Sequence, residues 1–510
     1  MYEFTFYTFC DREYFEPLGR YPIGRTYLDS LKELLPPGWG VSRSDVWLQA
    51  TPEGAKIRPQ GFKIHLASAV STGRTMLQRF VPVCVSTRTP FKIAADPTLH
   101  LFLNSKRYPR GGAGKFATIY PSSDESFREL LDLLDEATRG FSGPYVLSDR
   151  RYKNSKTVFY RYGGLQRMEE LRVDGTRRMM IQAPDGAWEP DTRTPFFQLP
   201  LWVEDPVAGP SEAVADDTAD TLLNGRYEVT EALNFTNTGG VYRATDHRTG
   251  REVVIKEARP HTILWASGHH AIDALTALRH EQTCLRELQG LPFVPELIDS
   301  FEEWENTFLV ASYFDGVPLA RLRAMEEFIL LTRIDDEEQV ERFSNIWKNV
   351  CLQVLDAVDA FHQRGVILGD ISPGNVLMNR DTGQLVFIDF ESAQCSAGES
   401  QLSDFAVQWF NPGFRRVERR SEQALDPSDD YFACGMLLYN LLCPIQTMFE
   451  LDRKHPTGRV LDYFIEAGVP EEIRRIIHAL FEGRPEEARR LCREWNPETR
   501  RTQRAFAAAS

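Results

Sequence analysis

Residues 364–391, RGVILGDISPGNVLMNRDTGQLVFIDFE, constrain the fold of this chain more than any other stretch. Their apolar residues fall into three short runs, 366–368, 376–378 and 385–388. Gly369-Asp370 follows the first run, and a Ser-Pro-Gly turn brings Asn375 in front of the second. Residues 381–383 make the next turn, and Asp389-Phe390-Glu391 closes the third run. Short apolar runs bounded by Gly, Pro, Asn and Asp read as strands joined by tight turns. That folding sets Asp370, Asn375 and Asp389, side chains suited to protons or metals, at strand ends. The bland reading is two buried hairpins with stray acids at their tips.

The order Asp-x4-Asn, apolar strand, Asp-Phe resembles the catalytic and metal-binding loops of a protein kinase. By that resemblance Asp370 accepts the proton of an attacking hydroxyl, and Asn375 and Asp389 hold Mg2+ against the phosphates of ATP or another NTP. The resemblance extends upstream. NFTNTGGVY lies where a glycine-rich loop belongs, with only Gly239 and Gly240 of the usual three glycines. Backbone amides, with Asn and Thr side chains, are expected to cover the phosphates there. Lys256 ends the strand VVIK and matches the kinase lysine that grips phosphates, and Glu281, on a helix expected over 271–288, is placed to pair with it. Residues 308–316 read as a hinge strand. Helices are expected over 343–364 and 429–442, with Asp430 propping the catalytic loop, and a helical pair over 470–494. Two departures stand out: Leu368-Gly369 replaces His-Arg and Glu391 replaces Gly. Without that arginine, control by loop phosphorylation is not expected.

The chain has 510 residues, 42% hydrophobic and 26% charged, an ordinary soluble balance with room for two to four domains. Its net charge of −14 argues against general nucleic-acid or acidic-membrane binding while permitting local basic sites. No apolar run approaches a membrane span, and no secretory signal opens the chain. The 8 cysteines form no CxxC pair and none neighbours a histidine, which suits a reducing compartment without a zinc site. Cytoplasmic localisation is the expectation.

Residues 1–203 form a first unit of strands and a few helices. GFKIHL alternates strictly: Phe62, Ile64 and Leu66 share one face, Lys63 and His65 the other. Two steps along a strand span roughly 6.6 Å, so Lys63 and His65 can both touch one phosphate-sized group. Residues 81–93 read as strand-rich, with Lys92 between Phe91 and Ile93. A basic, glycine-rich run over 106–115 carries Arg107 and Arg110 and lacks the pattern of a Walker A loop. Ser148-Asp149-Arg150-Arg151 and Arg161 follow, and residues 126–138 have helical spacing. Taken singly, a Lys-x-His on a strand is a solvated face and a basic Gly-rich loop a surface turn. Together they suggest an anion site within an acidic protein. Residues 204–221, acidic and Ala/Pro-rich, read as a linker to a second domain at 222–510.

GFKIHL, PFKIAAD, GGAGKFATIYP, GPYVLSDRRY and RYGG resemble the lyase domain of class III lanthipeptide synthetases, and the downstream motifs ALNFTNTGGVYRATD, VVIKEARPH, GDISPGN and IDFE resemble their kinase domain. The resemblance covers roughly residues 1–445 and includes the domain order. It implies an α+β, two-domain chain: a phosphothreonine-lyase-like domain followed by a bilobal protein-kinase-like domain. It implies phosphorylation of Ser or Thr in a ribosomal precursor peptide bearing a leader, then elimination of the phosphate to a dehydroamino acid. Lys92 would be the base and His65 the acid; Lys63 with arginines among Arg107, Arg110, Arg150 and Arg151 would hold the phosphate. A lysine base must be neutral, which burial and nearby cations favour. Family members usually continue into a cyclase domain, and too few residues follow 445 to form one; ring closure is therefore expected to be missing, truncated away or supplied by a separate cyclase. Two other readings stay open: a Ser/Thr kinase with a fused phosphate-sensing domain, and a peptide-binding pseudokinase scaffold.

Overall fold

The computed structural model describes residues 21–207, 222–267, 270–322, 336–397, 409–411, 413–419, 424–443 and 456–497. These fall into two compact units. The first gathers the described residues up to Arg248 with Lys256–Leu275 and Phe301–Phe308; the second holds Thr249–Ile255, Thr276–Ser300 and the described residues from Leu309 onward. Of the expected linker, residues 208–221 lie outside the described residues. Among the described residues no helix is long and apolar enough to cross a membrane.

In the first unit the chain runs α1 (Arg25–Leu34), β1 (Trp39–Ser44), β2 (Trp47–Pro52), β3 (Gln60–Leu66), α2 (Gly73–Ser86), β4 (Phe91–Ala94), α3 (Pro97–Leu103), β5 (Ala117–Ile119), α4 (Asp124–Ala137), β6 (Arg150–Arg151) and β7 (Val158–Gly164). The seven strands form one sheet in the order β1-β2-β4-β5-β3-β7-β6, every neighbouring pair antiparallel. Alternation along β3 sends Phe62, Ile64 and Leu66 into a core shared with Phe80 and Leu77 of α2 and Phe127 and Leu131 of α4. Ser123 starts α4 by a reciprocal capping box with Ser126, two residues before the expected start of that helix. Residues 81–86, expected to be strand-rich, are helical instead. Their β-branched residues favour a strand locally, but Met76, Leu77, Phe80, Val81 and Cys84 recur at helical spacing and are all buried. A smaller sheet, β8 (Glu169–Leu171), β9 (Arg177–Gln182) and β10 (Trp188–Pro190), follows. Then β11 (Tyr227–Thr236) and β12 (Gly239–Asp246) pair as an antiparallel hairpin, with Thr236 opposite Gly239.

The second unit is built on helices α6 (Glu337–Gln363) and α7 (Pro427–Leu442), with α8 (Glu471–Phe481) and α9 (Pro485–Glu494) beside them. Between β13 (Glu252–Ala258) and α6 the chain also forms α5 (Ala274–Glu287), one turn shorter at its start than expected. The three short strands of residues 364–391 are present at Val366–Ile367, Val376–Met378 and Leu385–Phe387.

Candidate active sites

The register of the first sheet assembles one site. His65 on β3 lies opposite Thr118 on β5, and Thr118 lies opposite Lys92 on β4. Directly paired residues share a face, so Lys92, Thr118 and His65 form a row across three strands. With strands about 4.8 Å apart, the outer two backbones are separated by about 10 Å, leaving a gap over Thr118 wide enough for a phosphorylated side chain. Lys63 lies opposite Arg161 on β7, on the same face two residues away. This face is not solvated: Lys63, His65 and Arg161 are 5%, 4% and 4% exposed.

Partners from distant loops organise the row. Asp149, fully buried, accepts from His65 Nδ1 through Oδ2. Its other oxygen takes Ser148 Oγ at 2.7 Å and faces Lys115 Nζ at 3.5 Å. Burial alone would raise Asp149, but His65, Lys115 and Arg161 outweigh it and hold the carboxyl well below the usual range. Holding Nδ1 fixes the imidazole with Nε2 turned away from Asp149, the arrangement that lets a ring nitrogen serve a reacting group. Burial brings His65 down to about 3, against the pull of Asp149. A phosphate dianion at Nε2 would reverse that balance and favour the imidazolium.

Lys92 Nζ stands 4.5 Å above the Trp47 ring. Burial, then Arg193 and Lys115, lower it to about 7. Lys115 is brought to about 8, by burial foremost. Lys63 is pushed well down by burial and by Arg161, and donates to the Gly164 carbonyl at 2.8 Å. Arg161 Nη2 reaches Asp191 Oδ1 at 2.6 Å, while its Nη1 is buried with no hydrogen-bond partner among the described residues. Gly163 lies against Asp191, where a side chain would bring a Cβ within 2.8 Å of the carboxylate. The site thus offers a lysine close to neutrality, an imidazole aligned by a carboxylate, and an uncommitted guanidinium edge for an anion.

The four arginines proposed for the phosphate lie elsewhere. Arg107 is exposed. Arg110 stacks 4.5 Å over the Phe235 ring of β11. Arg150 projects from the opposite face, pairs with Asp205 at 2.9 Å and covers Phe197. Arg151 is held by Glu305 at 2.6 Å. The cations gathered around His65 are Lys63, Lys115 and Arg161, with Arg193 acting on them from an exposed loop. Arg161 and Lys115 stood in the basic motifs without a role, and Asp149 and Asp191 gave no local signal.

The second site is the loop after Val366–Ile367. Asp430 Oδ2 accepts from Leu368 N at 2.9 Å and Oδ1 from Gly369 N at 2.8 Å, so it props this loop as its spacing led one to expect. Gly369 has φ +71, and a Cβ there would meet Leu425 Cδ1 at 2.6 Å. Arg415, 3% exposed, donates to the Gly369 carbonyl at 3.0 Å. Asn411 donates to Asp370 Oδ1 from its side chain at 2.9 Å, and Asn375 Nδ2 lies 3.4 Å from Oδ2. Burial, and then the charge of Asp389, raise Asp370 to about 6. Asp389 sits at φ +72, a rare conformation for a residue with a side chain. Carboxylate oxygens suit a hard divalent cation, and Asp389 lies near enough to Asp370 for its charge to shift it.

Glu281, 2% exposed on α5, accepts from Phe390 N at 3.4 Å. Lys256 lies half-buried on β13. Gly239 and Gly240 are buried in the β11–β12 pairing, and Gly239 packs so closely on the Glu257 carbonyl that no side chain fits. The Asn237 side chain, expected over the phosphates, turns instead to the Ser105 carbonyl at 3.1 Å.

Residues 27–219 match the family described as RamC, N-terminal domain, and residues 227–495 match the protein kinase domain. The probable SapB synthase of Streptomyces coelicolor is 34% identical over 454 residues, which is 87% of this chain and 47% of that protein. The DNA damage-responsive serine/threonine-protein kinase RqkA of Deinococcus radiodurans is 29% identical over 228 residues, 44% of this chain and 31% of the relative. Serine/threonine-protein kinase C of Synechocystis sp. is 25% identical over 247 residues, 47% of this chain and 43% of the relative. The chain spans about half the length, or less, of these relatives.

Proposed function

Because this chain belongs to the protein kinase family and carries a RamC N-terminal domain ahead of its kinase domain, we propose that it is a bifunctional peptide dehydratase of lanthipeptide biosynthesis. Its substrate is a ribosomal precursor peptide with a leader. The kinase domain phosphorylates Ser or Thr, and the N-terminal domain eliminates the phosphate to leave dehydroalanine or dehydrobutyrine. The observation that carries the reading is the row Lys92–Thr118–His65, with its buried cations, in one chain with Asp370, Asn375 and Asp389.

In the first step Asp370 takes the hydroxyl proton as the oxygen bonds to the γ-phosphorus and the bond to the β-phosphate oxygen breaks. Mg2+ held by Asn375 and Asp389 would offset charge on the phosphates. By its match to the kinase lysine, Lys256 would grip the phosphates. In the second step neutral Lys92 removes the Cα proton, the freed pair forms the Cα=Cβ bond, and the Cβ–O bond breaks. His65 protonates the departing phosphate, while Lys63, Lys115 and Arg161 hold it. A domain that only sensed phosphate would need the cations but not a lysine held at about 7.

Asp389→Asn should stop phosphorylation yet still release phosphate from a synthetic phosphopeptide. Lys92→Ala should do the reverse and accumulate phosphorylated precursor, its elimination slowed by about 10²–10⁴-fold. Mass spectrometry of the peptide separates the outcomes; dehydration of unphosphorylated precursor by Asp389→Asn would sink the two-step scheme.

A further inference from the structure

The two-residue turn joining β11 to β12 is Asn237-Thr238, the tip of the hairpin that lies over the nucleotide in a kinase domain. In this chain the tip is covered: Asn237 is 1% and Thr238 6% exposed. The covering groups come from the N-terminal domain and from one arginine just past β13. Asn237 donates from its backbone to the Lys106 carbonyl at 3.3 Å and from Nδ2 to the Ser105 carbonyl at 3.1 Å. Arg259, 3% exposed, donates from Nη1 to Asn237 O at 2.7 Å and Asn237 Oδ1 at 3.1 Å. Its Nη2 donates to the Tyr145 carbonyl at 2.6 Å, and its backbone N to Thr238 O at 2.8 Å. One guanidinium therefore bridges the turn and the loop that carries Tyr145. Ile263 and Lys106 add two backbone bonds alongside: Ile263 N to Asn104 O at 2.9 Å and Lys106 N to Ile263 O at 2.8 Å. Arg110 stacks on Phe235 at the end of β11. All these residues belong to one compact unit.

We propose that Arg259 is a positioning residue for the nucleotide: by tying the Asn237–Thr238 turn to the loops at Ser105 and Tyr145, it makes the N-terminal domain a structural part of the kinase's nucleotide site. The inference rests on the kinase half of the proposed function. A phosphate-covering turn with three glycines is mobile, and nucleotide binding must order it. Here the turn itself is Asn237-Thr238, and it is ordered beforehand by fixed carbonyls and a buried guanidinium. Pre-ordering lowers the entropy that binding must supply, so its loss should show in nucleotide affinity. The fork geometry matters as well. A lysine at 259 has no planar pair of donors to span Asn237 and Tyr145.

The test uses the full chain. Arg259→Ala and Asn237→Ala are compared with wild type for thermal unfolding, for binding of a fluorescent nucleotide analogue, and for steady-state phosphorylation of a Ser-containing precursor peptide. Nucleotide affinity should fall and nucleotide KM should rise by about tenfold or more, with peptide KM unchanged. Arg259→Lys should recover only part of the loss. Release of phosphate from a ready-made phosphopeptide should stay at the wild-type rate in all three variants. Unchanged or tighter nucleotide binding in folded Arg259→Ala and Asn237→Ala would overturn the inference. So would an equal loss of both activities, which would mark Arg259 as a general support of the fold. A wild-type protein that binds the analogue but transfers no phosphate would sink the proposed kinase step, while the binding comparison would still decide the role of Arg259.

Discussion

A lysine can serve as a base only when it has lost its proton, and Lys92 is held at about 7, by burial first and by Arg193 and Lys115 next. Below that value the amine is charged and idle; above it the amine is free to take the Cα proton. Elimination from a phosphopeptide should therefore accelerate as pH rises through about 7. Lys92→Arg keeps the charge and size but cannot deprotonate in this range. It should bind the phosphopeptide and fail to turn it over, by about 10²–10⁴-fold. A pH profile of phosphate release by wild type and variant checks this; a wild-type rate flat from pH 6 to 8, a range of about a unit on each side of that value, would remove Lys92 from the base role. Asp370 is the mirror case. It is raised to about 6 by burial and by Asp389, so the phosphorylating step should be lost as pH falls through about 6, when Asp370 gains the proton it must otherwise accept.

At the scale of elements, the loop Leu368-Gly369-Asp370 shows how a departure in sequence becomes a requirement in structure. Gly369 is left-handed and in near contact with Leu425, while Asp430 and Arg415 fasten its two sides. Gly369→Ala adds a strained φ, worth roughly 1–2 kcal/mol, and a clash with Leu425 beside Asp370. Phosphorylation should fall at least tenfold and the unfolding temperature of the kinase domain should drop, with phosphopeptide elimination untouched; calorimetry and the two assays read this together. The period of two in GFKIHL fixes Lys63 and His65 on one face and Phe62, Ile64 and Leu66 on the other, as found. The three strands of 364–391 and the propping Asp430 were equally legible, because turn residues and spacing encode them locally. What failed was long-range. Asp149 meets His65 across 84 positions and Asp191 meets Arg161 across 30, and no local pattern announces such partners. Arg150 and Arg151 sat next to the right segment, yet strand pairing turns Arg150 to the opposite face and Glu305 engages Arg151. Residues 81–86 misled because their β-branched content outweighed a helical spacing set by core contacts.

For the whole molecule, two chemistries in one chain raise the question of whether the phosphopeptide must stay on the protein that made it. The proposed function needs only that the phosphopeptide reach a lyase face. Equimolar Asp389→Asn and Lys92→Ala proteins, each unable to dehydrate precursor alone, should together restore dehydration as the phosphopeptide released by one is taken up by the other. The restored rate should fall on dilution, where wild type does not, and mass spectrometry over a dilution series checks it. Failure to complement at any concentration would mean that phosphopeptide passes between the sites without release.

The seven-stranded sheet has a consequence for how such a protein can diverge. Along β3 the same five residues, 62–66, alternately build the core and furnish the reaction. A point change at Lys63 or His65 alters the chemistry and leaves the packing nearly intact. Gaining or losing a single residue within the strand would carry Ile64 into the pocket and His65 into the interior, destroying both at once. Descendants of this sheet are free to change its letters and the lengths of its loops, but the reading frame of its strands is closed to revision.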